Sequence, residues 1–527
     1  MAAPCGTAVI PNGIGLGNPN SPTSLAPLIG QNGANIQDGL LLYRPLVWPG
    51  PDARMDASKS LAAAIDVLDG GTRFRVTLKP WRWSDGVAIT SADVVFGWQE
   101  IQQLGADFAF AGQGGIPERV SDVRAVDASH VDFVLARKTN PDWFELNALG
   151  AVFALPLHAW GPLDAQALWQ RQTDPALVRV VDGPFRLADF KLDRYAAYVP
   201  NPLYGGPPAR LARLVVTFLE GDSPLHAVEA GDADVAILPN QLWYRLKPRA
   251  GFHEVTLPEP YGTWALTPNL RDGGQAFFRD VAVRRALAQA VDQGDIIRLV
   301  FRGLAHENHV PVPASAQAWR SPQTQAGDPA LAYDPTRALA ALHADGWRAG
   351  PDGVLAKGGA RLAFTVLTAA PQDDATELQD LLVVQRDLRR IGVEMRLQRV
   401  GFESLLAAIG GTHWDAALLP QTAPPVPDGS GLLDSGGSGN AGGYSDAHMD
   451  ALIAASTDSD GPQALFAYQD YAAAQVPWII LPQGELPLLV ANRLHGVEQF
   501  SSPLGYWSPE SLWVEDTACE ARSAAVR

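Results

Sequence analysis

From Arg73 to Lys79 the chain alternates, with Phe74, Val76 and Leu78 on one face and Arg75, Thr77 and Lys79 on the other. A period of two is the mark of a half-buried strand. Trp83-Ser84-Asp85-Gly86 then supplies a turn signal. Thr90 and Asp93 have the spacing of a capping box, whose side chains satisfy the free amides at a helix start. Val94, Val95, Phe96 and Trp98 carry that helix onward. Further along, Leu214-Val215-Val216 reads as a buried strand, Ser223 can cap a helix, Gly231 can end it, and Asp234 to Leu238 reads as a second strand. Strand, helix and strand at this spacing predict a crossover unit of a parallel or mixed sheet. Asp280 can cap one long helix whose apolar face is Val283, Leu287, Ala290, Val291 and Ile297. Another helix is expected over residues 376 to 391, with Leu378, Leu381, Leu382 and Leu388. Gly392 stops it, and Val393, Met395 and Leu397 alternate as a strand. Positions 429 to 443 hold seven glycines and three serines in fifteen residues. Structured patterns resume on both sides, so this is a flexible loop rather than a domain linker. No internal repeat is visible.

Composition narrows the class. At roughly 150 residues per domain, 527 residues suggest three or four units. The net charge of −17 repels nucleic-acid phosphate and anionic lipid, and no basic run offsets it. A nucleic-acid partner is therefore not expected. No stretch of about 18 uncharged apolar residues is present, so no transmembrane span is expected. The most apolar run, 476 to 490, is interrupted by Pro477, Pro482, Glu485 and Pro487. The N-terminus lacks a charged segment followed by an apolar one, so an exported chain would have lost its leader before Met1.

The two cysteines, Cys5 and Cys519, lie near opposite ends. Chain ends often meet on one domain, so a bridge between them is expected, and it would fit an oxidising compartment. The alternatives are two free thiols, or a lipidated Cys5, against which Pro4 stands because lipidation normally needs a small residue there.

Six segments in order resemble one family. Trp83-Ser84-Asp85-Gly86 followed by Thr90, Asp93 and Val94 is similar to the "W-S-D-G-x-x-x-T-x-x-D-V" signature of peptide-binding periplasmic proteins and lipoproteins. Ala230 to Val235 resembles their "sGevDia" element. Phe278 to Leu287 is similar to "F-x-D-x-x-V-R-x-A-L", with Ala290-Val291-Asp292 and Gly303 also in place. Tyr333-Asp334-Pro335, Ala338 and Gly346-Trp347 resemble "Y-D-P-x-x-A-x-x-L-L-x-x-A-G-W". Asp387-Leu388 to Ile391-Gly392-Val393 matches "D-L-x-x-I-G-V", and Val476-Pro477-Trp478 resembles a late "V-P-x-x" strand. The chain thus resembles ABC-transporter solute-binding proteins of family 5, the oligopeptide, dipeptide and nickel-binding type.

That resemblance implies an α/β chain with a two-lobed periplasmic-binding-protein fold (type II, cluster C), an extra inserted domain and central mixed sheets. Lobe 1 would be built from residues 1–40, 177–256 and 488–527, the inserted domain from 41–176, and lobe 2 from 257–487. It implies a periplasmic or extracellular monomer, membrane-anchored if at all through a removed N-terminal segment. Such a protein closes around a small organic ligand or peptide and delivers it to an ABC permease and its ATPase. No cofactor is implied. The matched motifs are expected to be structural, with Asp85 and Gly86 shaping a turn and Arg284 anchoring its helix through an ion pair.

Peptide-binding members grip charged ligand ends with an aspartate after one strand and, in dipeptide binders, an arginine after another. Such pairs are the strong ones. Here the first loop reads Pro420-Gln421-Thr422-Ala423-Pro424-Pro425, with Asp428 several residues late. The second reads Ala369-Ala370-Pro371-Gln372-Asp373-Asp374 and has no arginine. Free peptide termini are therefore not the expected handle. A neutral or differently charged ligand would be held by amides, hydroxyls and ring faces. Candidates are Trp264, Trp414, Gln421, Thr422, Tyr506 and Trp507, with Asn18 and Asn20 in the loop after the first strand. A modified peptide, an oligosaccharide, an opine-like conjugate and an ordinary peptide held differently all remain open.

Enzyme chemistry finds little support. No G-x-S-x-G, H-E-x-x-H, phosphate loop or paired-cysteine metal motif is present. His306-Glu307-Asn308-His309 sits in a proline-bearing loop, and Asp232 and Asp234 are expected to face solvent or a cap together. A binding protein turned receptor for signalling is the remaining alternative.

Overall fold

The structure is a computed structural model that describes residues 3–15, 20–29, 33–163, 165–218, 223–238, 243, 250–325, 331–369 and 376–515. Strand β1 (Thr7–Pro11) opens the chain. Strands β2 (Ala62–Leu68), β3 (Arg73–Leu78), β4 (Val120–Ala125) and β5 (His130–Leu135) then form an antiparallel sheet in the order β2-β3-β5-β4. The alternation of β3 is borne out: Phe74 and Val76 are sealed and Arg73 and Arg75 reach outward to Asp132. The Thr90/Asp93 box forms as expected. The Thr90 amide donates to the Asp93 carboxylate at 2.8 Å, and the helix Ser91–Leu104 follows.

Strands β6 (Phe185–Lys191), β7 (Tyr195–Pro200) and β8 (Arg213–Thr217) return to β1 in the order β1-β8-β7-β6, with β1 and β8 parallel. The next strands depart from the sequence reading. β9 (Val235–Ile237) does not join β8 in one sheet. It belongs with β10 (Phe252–Leu257) in a separate three-stranded sheet. The reason is Asp234. Its amide donates to Val9 O at 2.7 Å, but its carboxylate then takes the Val9 amide at 2.8 Å, where a ladder would need a carbonyl. Asp234 is buried against Arg493 at 2.8 Å while Asp232 is exposed, so the two do not face solvent together.

Strand β11 (Gly262–Pro268) begins a second body. It contains the short β12 (Ala305–His306) and a small meander of β13 (Arg348–Ala349), β14 (Leu355–Lys357) and β15 (Ala360–Arg361). Strands β16 (Ala363–Ala369), β17 (Glu394–Val400), β18 (Ala416–Thr422) and β19 (Ile479–Leu481) complete a mixed five-stranded sheet, β17-β16-β18-β11-β19. After β20 (Gln483–Gly484), which pairs with β12, β21 (Leu486–Ala491) returns to sit between β10 and β9. The chain thus passes between the three-stranded and five-stranded sheets twice, at 258–261 and 482–485.

The long helix read from Asp280 is two helices, Val281–Gln289 and Gln293–Leu299. Asp280 caps the first through the Ala282 amide at 2.9 Å. Asp292 caps a second start through the Asp295 amide at 2.9 Å, and its own amide is held by Asp387 at 3.1 Å. A cap in mid-pattern breaks a helix without disturbing its apolar spacing. Arg284 makes no ion pair with a described residue. Its buried guanidinium donates to the carbonyls of Phe278, Gln475 and Val476 at 2.7–2.9 Å, tying the helix Val281–Gln289 to the late helix Gln463–Gln475. The helix Thr376–Arg390 and its stop at Gly392 (φ +79°) are as expected.

Candidate functional site

β16 runs parallel to both β17 and β18, so their carboxyl ends, Ala369, Val400 and Thr422, share one edge of the five-stranded sheet. β11 is antiparallel to β18 and starts at that same edge, with Gly262 opposite Thr422, Thr263 opposite Gln421 and Trp264 opposite Pro420. Ala423 donates to Tyr261 O at 3.1 Å, closing the loop onto the crossing at 258–261. The carboxyl edge of a sheet beside an interlobe crevice is where open α/β folds bind ligands.

Side chains alternate across this edge. Trp264, Pro420 and Thr422 fall on one face; Pro420 and Thr422 are exposed and Trp264 half-buried. Thr263 and Gln421 fall on the other and are buried. The Gln421 carboxamide has no hydrogen-bond partner among the described residues, and its atoms keep some contact with solvent. The structure thus brings together three of the sequence candidates, Trp264, Gln421 and Thr422.

The others lie apart. Trp414 is packed among Leu367, Leu405, Ala417 and Leu419, and its Nε1 donates to Gly411 O at 3.2 Å. Trp507 is fully enclosed, with Nε1 on Ile14 O at 2.8 Å. Tyr506 is buried edge-on against Trp48, and burial pushes its hydroxyl up to about 12. Asn20 is exposed and offers its carbonyl to Asn12 Nδ2 at 2.9 Å; Asn18 lies outside the described residues. Cys5 stands just before β1, with its amide on Arg210 O at 2.9 Å, and Cys519 lies outside the described residues. Among the described residues no three His, Cys, Asp or Glu side chains are grouped to hold a metal ion, and no helix is long and apolar enough to cross a membrane.

Asp428, the possible replacement for the missing acid, is buried and accepts from Trp143 Nε1 and from the Ser430 amide at 2.8 Å. Burial raises its carboxyl from the ordinary 3.8 to about 6. The carboxylate that sequence reading passed over is Glu259, in the first crossing. It is buried, raised to about 7 chiefly by desolvation, and lies 3.8 Å from His306 Nδ1. An acid between Pro258 and Pro260, two rigid residues at a chain crossing, was the available signal.

The oligopeptide-binding protein AppA of Bacillus subtilis is 26% identical over 406 residues, covering 76% of this chain and 71% of that protein. Its solved structure, in complex with a nonapeptide, superposes with a TM-score of 0.76 at 21% identity, covering 98% of this chain and all of that one. The substrate-binding protein CtaP of Listeria monocytogenes gives a TM-score of 0.81 at 17% identity, covering 98% of this chain and 100% of that one. NikA of Brucella suis, in complex with Fe(III)-EDTA, gives 0.79 at 20%, covering 97% of this chain and 100% of that one. These structures share the two-lobed fold, and AppA is a binding protein by name. Residues 57–444 match the family described as bacterial extracellular solute-binding proteins, family 5, so the chain belongs to that family.

Proposed function

We propose that this chain captures its ligand between two lobes at the carboxyl edge of the five-stranded sheet and hands it to an ABC permease and ATPase. The lobes would be 1–40, 177–256 and 488–527 on one side and 257–487 on the other, with 41–176 inserted. The two crossings between sheets, at 258–261 and 482–485, support that division. The observation that carries the reading is the edge itself. Trp264 and Thr422 present a ring and a hydroxyl on one face, and Gln421 keeps an amide that no described residue engages.

The ligand we infer is one whose recognition does not depend on a free ammonium at the 420–425 loop, because that loop carries no acid. AppA was solved with a nonapeptide and NikA with a chelated iron, so the fold accommodates both kinds of cargo. A long peptide held by its backbone needs no particular side-chain charge. A blocked peptide, an oligosaccharide or an opine-like conjugate fits the amide and ring surface equally.

The test is to denature the purified protein and identify what it releases by mass spectrometry. A thermal-shift panel of peptides, oligosaccharides and conjugates completes it. A ligand at 100 times its dissociation constant stabilises the fold by about 2.7 kcal/mol. Release of unblocked di- or tripeptides that also raise the melting temperature would overturn the inference from the missing charges. Stabilisation by a sugar, conjugate or long peptide alone supports it.

A further inference from the structure

The two crossings between the sheets, 258–261 and 482–485, each bring a polar side chain to one place and leave it short of a donor. Glu259 comes from the first. It is 4% exposed, and its Oε2 has no hydrogen-bond partner among the described residues. Gln483 comes from the second, on β20, and its Oε1 is equally enclosed and unpaired. Ser315, whose amide is directed at the Glu259 carboxylate, adds a third buried oxygen without a partner, its hydroxyl. Strand pairing explains why these groups meet. β12 and β20 are antiparallel with His306 opposite Gln483, so both side chains fall on one face of that ladder. His306 Nδ1 stands 3.8 Å from Glu259 Oε2, beyond hydrogen-bonding reach. On its other flank the Gln483 carboxamide lies over Gly262, the first residue of β11, which pairs with Thr422. A Cβ added at Gly262 would come within 3.5 Å of Gln483 Oε1 and 3.1 Å of Gln421 O. The hollow at the crossings therefore adjoins the sheet edge that carries Gln421 and Thr422.

An ionised Glu259 and the Gln483 carbonyl can only accept. The charges nearby do not meet that need. Arg320 faces Glu259, but its guanidinium donates to Asn308 Oδ1 and to the carbonyls of Val312 and Thr324 at 3.2–3.4 Å. Glu485 adds a second negative charge, and His306 is 64% exposed. Burial therefore raises the Glu259 carboxyl to about 7. We propose that this hollow is the part of the ligand site that takes a charged nitrogen donor, a protonated amine or guanidinium of the ligand, with Glu259 as its counter-ion and Gln483 as the second acceptor. The proposal rests on the capture reading and narrows it: the cargo carries a basic nitrogen, gripped at the crossings rather than at the 420–425 loop. Such a donor restores the ionised carboxylate that burial disfavours, and charge-assisted pairs of this kind are the strong ones. Because Glu259 engages the donor in its ionised form, binding strengthens as pH rises through about 7 and fades below it. His306, when protonated, competes for the same oxygen, and Arg320 and Glu485 are the other charged groups that face it.

Methylammonium chloride, compared with tetramethylammonium chloride at equal concentration, tests the hollow on the full chain. Both cations carry one charge, but only the first can donate a hydrogen bond. At about 100 mM and about pH 8, methylammonium should raise the wild-type melting temperature by about 1 °C more than tetramethylammonium does. The difference should vanish near about pH 5.5, where the carboxyl holds its proton, and be absent at both values in Glu259→Gln. If the two cations act alike on the wild type at the higher pH, the hollow holds only water and the proposal is wrong. Mass spectrometry of the molecule released on denaturation gives an independent reading. A released molecule with a basic nitrogen should bind Glu259→Gln at least about tenfold more weakly than the wild type, and Gln483→Leu about fivefold more weakly. Unchanged affinity in Glu259→Gln, or a released molecule with no basic nitrogen, overturns the donor site and leaves capture standing. A protein that releases nothing and is stabilised by no ligand class counts against capture itself, and the two cations still decide the hollow.

Discussion

Asn147 and Gln421 are both buried carboxamides, yet they belong to different kinds of place. At the seam between residues 119–147 and 426–458, Asn147 engages the Val426 amide and carbonyl, and its neighbours Asn140 and Arg119 reach Ser456, Thr457 and Asp458. At the sheet edge, Gln421 meets no described partner. Burial of a polar group without a partner is costly unless something else supplies one. In the capture reading proposed above, the open Gln421 carboxamide is the one offered to a ligand, whereas the Asn147 carboxamide is taken up by the Val426 backbone.

The strongest way to break the comparison is to remove the seam amide. Asn147→Ala leaves the Val426 amide and carbonyl unsatisfied, and a loss of about 2–3 kcal/mol is expected from chemical denaturation. A loss below about 0.5 kcal/mol would place Asn147 with Gln421. The next effect is in pH. Burial raises the Asp428 carboxyl from 3.8 to about 6, so between those values the folded chain holds a proton that the unfolded chain has lost. Its contribution is complete below about pH 4 and is lost as pH rises through 6, on the order of 2–3 kcal/mol. Melting temperatures from pH 4 to 7 should therefore fall more steeply in the wild type than in Asp428→Asn. Asp38 and Asp182, raised to about 7 and about 8 by burial, add to the same slope but cancel in that difference. Arg119→Ala should cost about 1 kcal/mol, because its partner Asp458 is one-third exposed and can be rehydrated. The smallest stability effect belongs to the edge. Gln421→Ala should stay within about 0.5 kcal/mol of wild type, while weakening capture of the co-purified ligand about tenfold in calorimetry. A large loss of stability with unchanged binding would make Gln421 a fold residue.

Much of this was legible along the chain because the signals are local. The alternation around Phe74, the Thr90/Asp93 box and the Gly392 stop each depend on a few neighbouring residues, and each appears as read. What escaped depends on distant partners. Asp234 looks like the start of a strand in one sheet, but its carboxylate intercepts Val9, 225 positions away, and sends that strand to another. Asp292 carries no more obvious a signal than Asp280, yet it divides one apolar face into two helices with the help of Asp387. Trp414 and Trp507 were indistinguishable from Trp264 by residue type, and their surroundings come from segments far off in sequence. The seam left no pattern at all, since Asn147 and Val426 are ordinary residues until they meet.

Arg44 is wholly buried against Glu510, stacked 4.2 Å from the Trp48 ring, and Trp507 closes over Ile14. The beginning of the chain is thus completed by its last few dozen residues. Contacts of such sequence separation form late, because the intervening loop entropy must be overcome first. The burial of Arg44 therefore cannot be completed until the segment carrying Glu510 has docked.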